Sequence, residues 1–250
     1  MTPVRFEDAT YFDQSWMFFG PPLLLCLLLY GSRKKETGLT SEKFLAFALP
    51  FIYSLHQFEE HGYDFLGRRY AFMEEFNRNT KFGLTPRLVT LINLSFSWVG
   101  APLCAFRSEA LGNFRPSAVC WAFATFNGLL AHIGMFFLTG YRYNPGLVQS
   151  FFMVPLGFFF LWKHTAKETP MLWAFLFLLA GPIGHGIGLI LPIALITQED
   201  IGMIGFCALI ASSTIGLPLF SPIVWPPPRS SDSVLVSKSQ SSKKGPKKEA

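Results

Sequence analysis

Charge is scarce in this chain of 250 residues: Asp, Glu, Lys and Arg together make up 15%. Only four cysteines are present, Cys26, Cys104, Cys120 and Cys207, each in or beside an apolar run, and no C-x-x-C or His/Cys pattern occurs. That excludes an exported disulfide framework and a local zinc-finger site, and it suits small apolar packing residues. The H-E-x-x-H spacing of zinc peptidases is also missing. The N-terminus carries Glu7, Asp8 and Asp13 instead of a basic region, and no small-residue cleavage site follows, so a removable signal peptide is not expected. No inverted repeat is evident, which disfavours transport.

Apolar bulk takes the place of charge. Half of the residues are hydrophobic, 28 are phenylalanine and the mean hydropathy is +0.34, more than a soluble domain of this length tolerates. The expected fold class is all-α, a polytopic membrane helix bundle over residues 1–225 with about seven transmembrane helices. Runs at roughly 15–30, 44–66, 88–106, 117–139, 147–163, 171–196 and 201–224 each approach the ~20 residues that a spanning helix needs. With seven spans, one side of the membrane receives 14 Lys and Arg and the other 7, which places the C-terminus in the cytosol.

Residues 226–250 follow a Pro-Pro-Pro stretch, are rich in Ser and Lys, and are expected to form a disordered cytosolic basic tail. The tail ends Lys247-Lys248-Glu249-Ala250, similar to the dilysine signal by which coat-type retrieval machinery returns membrane proteins to the endoplasmic reticulum. An endoplasmic reticulum membrane address follows as an expectation. A nucleic-acid role does not, because the basic residues flank the membrane and set topology.

Within this apolar chain, His56-Gln57-Phe58-Glu59-Glu60 stands out. Placing a carboxylate inside a bilayer costs at least a few kcal/mol, so such residues usually face inward, are partnered and serve a function. His56, Glu59 and Glu60 occupy i, i+3 and i+4 and share a helical face, which Tyr53 and Asp64 extend. A set of this kind can bind a divalent metal, relay protons, or hold its own members together as a buried network that fixes helix register. The inverted zincin pattern would need a histidine directly after Glu59; His61 comes one place later and, on a regular α-helix, points away from His56.

Any metal must therefore draw ligands from several helices. Asn127, His132 and His185 are the available donors, all within one or two turns of the expected midplane. His185 sits among Gly181, Gly184, Gly186 and Gly188, where the Gly184–Gly188 step favours close helix packing over a ligand site. Tyr141-Arg-Tyr143-Asn-Pro-Gly146 reads as a turn between spans four and five, and Tyr143 is placed to reach back toward His132 and Glu60.

These elements in this order, His56-x-x-Glu59-Glu60, Asn127 before His132, and Tyr143-Asn-Pro145-Gly146, resemble the HXXEE-domain family of membrane proteins over about residues 44–195. One spacing departs from the family pattern: four residues separate Asn127 from His132 where the family has three. On a regular helix that puts the two on different faces unless Gly128 or a π-bulge adjusts it. The resemblance marks the residues that matter and implies no particular reaction.

Two functions remain open. One is a lipid-modifying enzyme of the endoplasmic reticulum membrane, a hydrolase or an isomerase, in which His56, Glu59, Glu60 and His132 act with Tyr143. Either a zinc or iron ion held by His56, Glu60, His132 and His185 activates water, or the residues form an acid–base set. The other is a non-catalytic lipid-binding or scaffold protein with a structural His–Glu network.

Overall fold

Helix starts follow local capping chemistry. Ser41 accepts the Phe44 N–H at 3.1 Å, and Thr85 accepts that of Leu88 at 3.3 Å with Pro86 behind it as the first helical residue. The computed structural model describes residues 9–33, 38–165 and 179–224. Its helices are α1 (Trp16–Ser32), α2 (Glu42–Gln57), α3 (Ala71–Thr80), α4 (Pro86–Asn93), α5 (Ala101–Leu111), α6 (Arg115–Asn127), α7 (Met135–Leu138), α8 (Leu147–Thr165), α9 (Leu191–Thr197), α10 (Met203–Ala211) and α11 (Leu217–Val224). Five π-helical segments, Phe58–Gly62, Leu94–Gly100, Gly128–Gly134, Leu179–Ile190 and Ser212–Gly216, join or extend them. No strand forms among the described residues; one bridge pairs Tyr63 with Arg69.

The all-helical class is as expected, and each of the seven apolar runs overlaps a helical rod. Among the described residues, three helices are long and apolar enough to cross a membrane: Pro86–Leu111, Arg115–Leu138 and Met203–Ile223. Trp16–Ser32 and Ile183–Thr197 are apolar but shorter. The rod from Glu42 to Gly62 carries His56, Glu59, Glu60 and His61, and the one from Leu147 ends in Lys163 and His164. Residues 171–178 of the sixth expected span and the tail with Lys247 and Lys248 lie outside the described residues.

Two differences from the expected connections shape the site. The second rod stops at Gly62 rather than at residue 66, because Asp64 accepts the backbone N–H groups of Leu66 and Arg68 and pairs with the Arg68 guanidinium at 2.8 Å, closing a loop. The connection from 68 to 87 then contains a helix, α3, whose Tyr70 and Met73 are fully buried against Trp16 and Ile193.

The larger core packs α2, α5, α6 and α8 around Trp121, which stacks on Phe160 and donates Nε1–H to the Leu45 carbonyl at 3.1 Å. Helices α6 and α8 approach closely at Gly157, where a Cβ would collide with the Thr125 hydroxyl. Gly188 likewise sits against Ser213, whose hydroxyl bonds the Gly188 carbonyl at 2.8 Å. The glycine step beside His185 therefore serves packing.

Candidate metal centre

The HxxEE residues straddle an α-to-π transition. Helix α2 ends at Gln57 and the next turn, Phe58–Gly62, is π-helical. A π turn closes on residue i+5, so residues five apart meet on one face. The same irregularity follows Asn127, at Gly128–Gly134. It absorbs the fourth intervening residue, so the wide Asn127–His132 spacing still keeps both side chains in one site.

Glu60 is the centre of the arrangement and is 4% exposed. Its Oε1 lies 3.5 Å from His56 Nε2 and 3.2 Å from His132 Nε2, and the two imidazoles stand edge to face at 4.7 Å. Its Oε2 lies 3.5 Å from His61 Nε2. This corrects the expectation that His61 points away from His56: across the π turn both histidines reach the same carboxylate. His61 is buried, and its Nδ1 has no hydrogen-bond partner.

The protons on the two central imidazoles are set from outside the cluster. His56 Nδ1 faces the Gly146 carbonyl at 3.1 Å, and a carbonyl can only accept, so Nδ1 carries the hydrogen. Asn144 donates its amide N–H to the His132 carbonyl at 3.0 Å, which leaves its Oδ1 to accept from His132 Nδ1 at 2.9 Å. In the neutral imidazoles both Nε2 atoms therefore carry lone pairs. The Asn127 amide stands 3.4 Å from that of His56, whereas that of His132 is buried without a hydrogen-bond partner. Glu60 Oε1 lies 3.2 Å from it. Three acceptors thus converge in a buried place, an arrangement that repels itself unless protons or a cation fill the gap.

A divalent metal fits that description. One donor atom each from His56, Glu60 and His132 lies within 4.8 Å of the others, all three residues buried. Locking Nδ1 to a backbone carbonyl and to an amide oxygen is how proteins orient metal-ligating histidines.

Glu59 serves a different purpose. Its Oε1 accepts from Tyr143 O–H at 3.0 Å and from Val148 N–H at 3.1 Å, and its Oε2 accepts from Gln149 N–H at 2.8 Å. It caps the N-terminus of α8, where a carboxylate also meets the positive end of the helix dipole. Tyr143, expected over His132 and Glu60, instead joins Glu59 and accepts the Phe65 N–H at 3.0 Å. Burial, and next the Glu59 carboxylate, raise the Tyr143 phenol above its ordinary range, so it stays a donor.

His185 does not join the trio: it stacks on Phe123 at 4.0 Å and lies tilted against Phe126 at 5.1 Å. Asn144 and Gly146 hold the histidines without having been assigned that role from sequence, and Phe72 of α3 covers them, 5.8 Å from both His61 and His132. Gly146 has φ +91°, and a Cβ there would come within 2.6 Å of His132 Cε1 and 2.8 Å of His56 Cε1. The only sequence signal for these supports was the tight Pro145-Gly146 turn.

A cavity of about 600 Å³ opens onto the cluster, with Glu60, His61, Asn127 and Asn144 in its wall. Tyr53, Phe96, Phe123, Leu189 and Ile193 make much of the rest apolar.

Residues 47–160 match the family model described as "Protein of unknown function with HXXEE motif", a stretch that includes the trio and its supports. No curated protein and no solved structure matches the chain.

Proposed function

We propose that this chain, which carries the HXXEE family region, is a multi-pass membrane enzyme that uses a divalent metal on His56, Glu60 and His132 to modify a lipid. One observation carries the reading: three buried acceptor atoms face one another, and the imidazole protons are directed outward to Gly146 and Asn144. Two histidines and one carboxylate suit zinc, and equally ferrous iron with open positions. Bound there, the metal would supply Lewis acidity and an activated water, so hydrolysis is the reaction class that the donor set supports best.

The protein residues have separate tasks. His56 and His132 hold the ion as neutral imidazoles, and Glu60 supplies the negative charge. Asn127 offers an amide beside His56 Nε2, and Glu59 with Tyr143 fixes α8 so that Gly146 presents its carbonyl. The apolar cavity admits the lipid and excludes bulk water from the cluster, as ligand sites of this size do. The proposal includes seven membrane-crossing rods, the four beyond the three long apolar helices being held by contacts within the bundle. It also includes an endoplasmic reticulum address read by retrieval machinery at Lys247 and Lys248.

A competing arrangement is an imidazolium–carboxylate network without metal, favoured by the 3.2 Å approach of His132 to Glu60. Elemental analysis of the purified full-length protein separates them. Near-stoichiometric zinc or iron, lost in Glu60→Gln while the helical content stays, supports the metal. Metal-free protein that binds none when zinc or ferrous iron is added sinks it.

A further inference from the structure

The cavity wall mixes apolar and polar residues. Helices α6 and α7 and the π turn between them line it with Phe123, Asn127, Ala131, Met135 and Thr139, a stripe that spans on the order of 20 Å at the helical rise. Around Phe123 the wall is apolar, with Phe96 at 5.2 Å and Leu189 one turn beyond His185, which stacks on Phe123. Polar residues share the wall: Arg78, Asn79 and Thr80 from the end of α3, and Thr139 and Arg142 from the chain after α7. Glu60, His61 and Asn144 line the same cavity: Asn144 bonds His132 two residues after Arg142, and Phe72 lies against His61 and His132 six residues before Arg78.

The two arginines are unusual in their charge environment. Glu75, the carboxylate nearest to them in sequence that lines the same wall, pairs with Arg68 at 3.3 Å. Glu60 is committed to the histidines. Among the described residues, neither Arg78 nor Arg142 has an ion-pair partner, and both are exposed and line the cavity. Two exposed guanidinium groups in the wall of a largely apolar cavity form a match for an anion carried on an alkyl chain, since each offers a planar fork of donors to phosphate or carboxylate oxygens.

We infer that the cavity takes a single-chain amphiphile with an anionic headgroup, its chain against Phe96, Phe123 and Leu189 and its phosphate or carboxylate on Arg78 and Arg142. The inference rests on the metal reading only for the consequence that the bond joining chain to headgroup comes to lie beside Glu60.

The test uses purified full-length protein in nanodiscs and three fluorescent single-chain probes: an acylglycerol phosphate, a fatty acid and a neutral monoacylglycerol. At least one anionic probe is expected to bind about tenfold or more tighter than the neutral one. That preference should fall to within about twofold in the Arg78→Ala/Arg142→Ala variant and persist in Arg78→Lys/Arg142→Lys. Unchanged binding of the neutral probe in both variants shows that the cavity is intact. Which anion binds tighter distinguishes a phosphate headgroup from a carboxylate. Equal binding of all three probes, no binding of either anion, or a preference that survives the alanine pair would overturn the inference. Metal content measured on the same samples keeps the two ideas apart. Metal without anion preference defeats this inference alone, and anion preference in protein that takes up no metal defeats the proposed function alone.

Discussion

The π turns at 58–62 and 128–134 carry the same backbone irregularity as those at 94–100 and 212–216, yet the two pairs do different work. The first pair turns Glu60, His61 and His132 into one buried place. The second pair brings two backbones together: a Cβ on Gly100 would lie 2.5 Å from the Thr214 carbonyl oxygen, and the Ser95 and Thr214 hydroxyls bond at 2.6 Å. An extra residue in a helix widens it and frees backbone groups. Whether it makes a site or a close contact depends on the side chains it displaces. Here His and Glu make the site, and Ser, Thr and Gly make the contact.

The largest effect should come from shifting that register. One alanine inserted after Leu129 turns His132 by about 100° and should lower metal affinity more than a hundredfold, read by competition with a zinc chelator. Deleting Leu129 returns the turn to regular α spacing with Asn127 and His132 still on one face, and metal binding should survive. An alanine inserted after Ser212 should lower thermal stability and leave the metal in place. If both insertions abolish metal binding alike, the division between site turns and packing turns fails.

Two glycine substitutions sharpen the same contrast. Gly146→Ala meets both a positive φ and the two imidazole rings. It should cost about 2–4 kcal/mol of stability and empty the site. Gly100→Ala, pressed against the Thr214 carbonyl, should cost about 1–3 kcal/mol with metal content unchanged in elemental analysis. Asn144→Ala removes the acceptor that fixes the His132 ring and should weaken metal binding about 10–100-fold with a small change in melting temperature.

Adjacent carboxylates should also separate. Glu59→Gln weakens a helix cap and should cost about 1 kcal/mol in denaturant unfolding while retaining metal, which Glu60→Gln should not. The smallest effect belongs to Tyr143→Phe, about 1 kcal/mol for its bonds to Glu59 and Phe65. The phenol is raised above its ordinary value of ~10, so the bonded, protonated form persists past the pH at which a free phenol ionises. The stability gap between wild type and Tyr143→Phe should stay flat from neutral pH to about 10 and shrink beyond. A gap that closes near neutrality would contradict the Tyr143–Glu59 bond.

Much of the architecture was readable along the chain because apolar length is a local property. Among the described residues each of the seven apolar runs overlaps a rod, and His56, Glu60 and His132 come together in one buried group. His61 reaches Glu60 because the turn is π-helical rather than α-helical, and the two five-residue spacings, His56–His61 and Asn127–His132, both match a π turn. A shared helical face cannot show that Glu59 meets α8 while Glu60 meets the histidines, and a turn cannot show that Tyr143 reaches Glu59. Helix α3 was hidden in a charged connection whose apolar residues, Tyr70 and Met73, find their partners in Trp16 and Ile193.

By itself, the sequence determined the helical class, the positions of the rods and the presence of costly polar groups among them, since hydrophobicity and helix period act over neighbouring residues. Only the tertiary structure decided that Glu60 meets the histidines while Glu59 caps α8, and that Gly146 and Asn144 direct the imidazole protons outward. Those outcomes depend on contacts between residues about 90 apart in the chain, such as His56 with Gly146 and Glu59 with Gln149. Packing brings such residues together, and no local preference encodes the meeting.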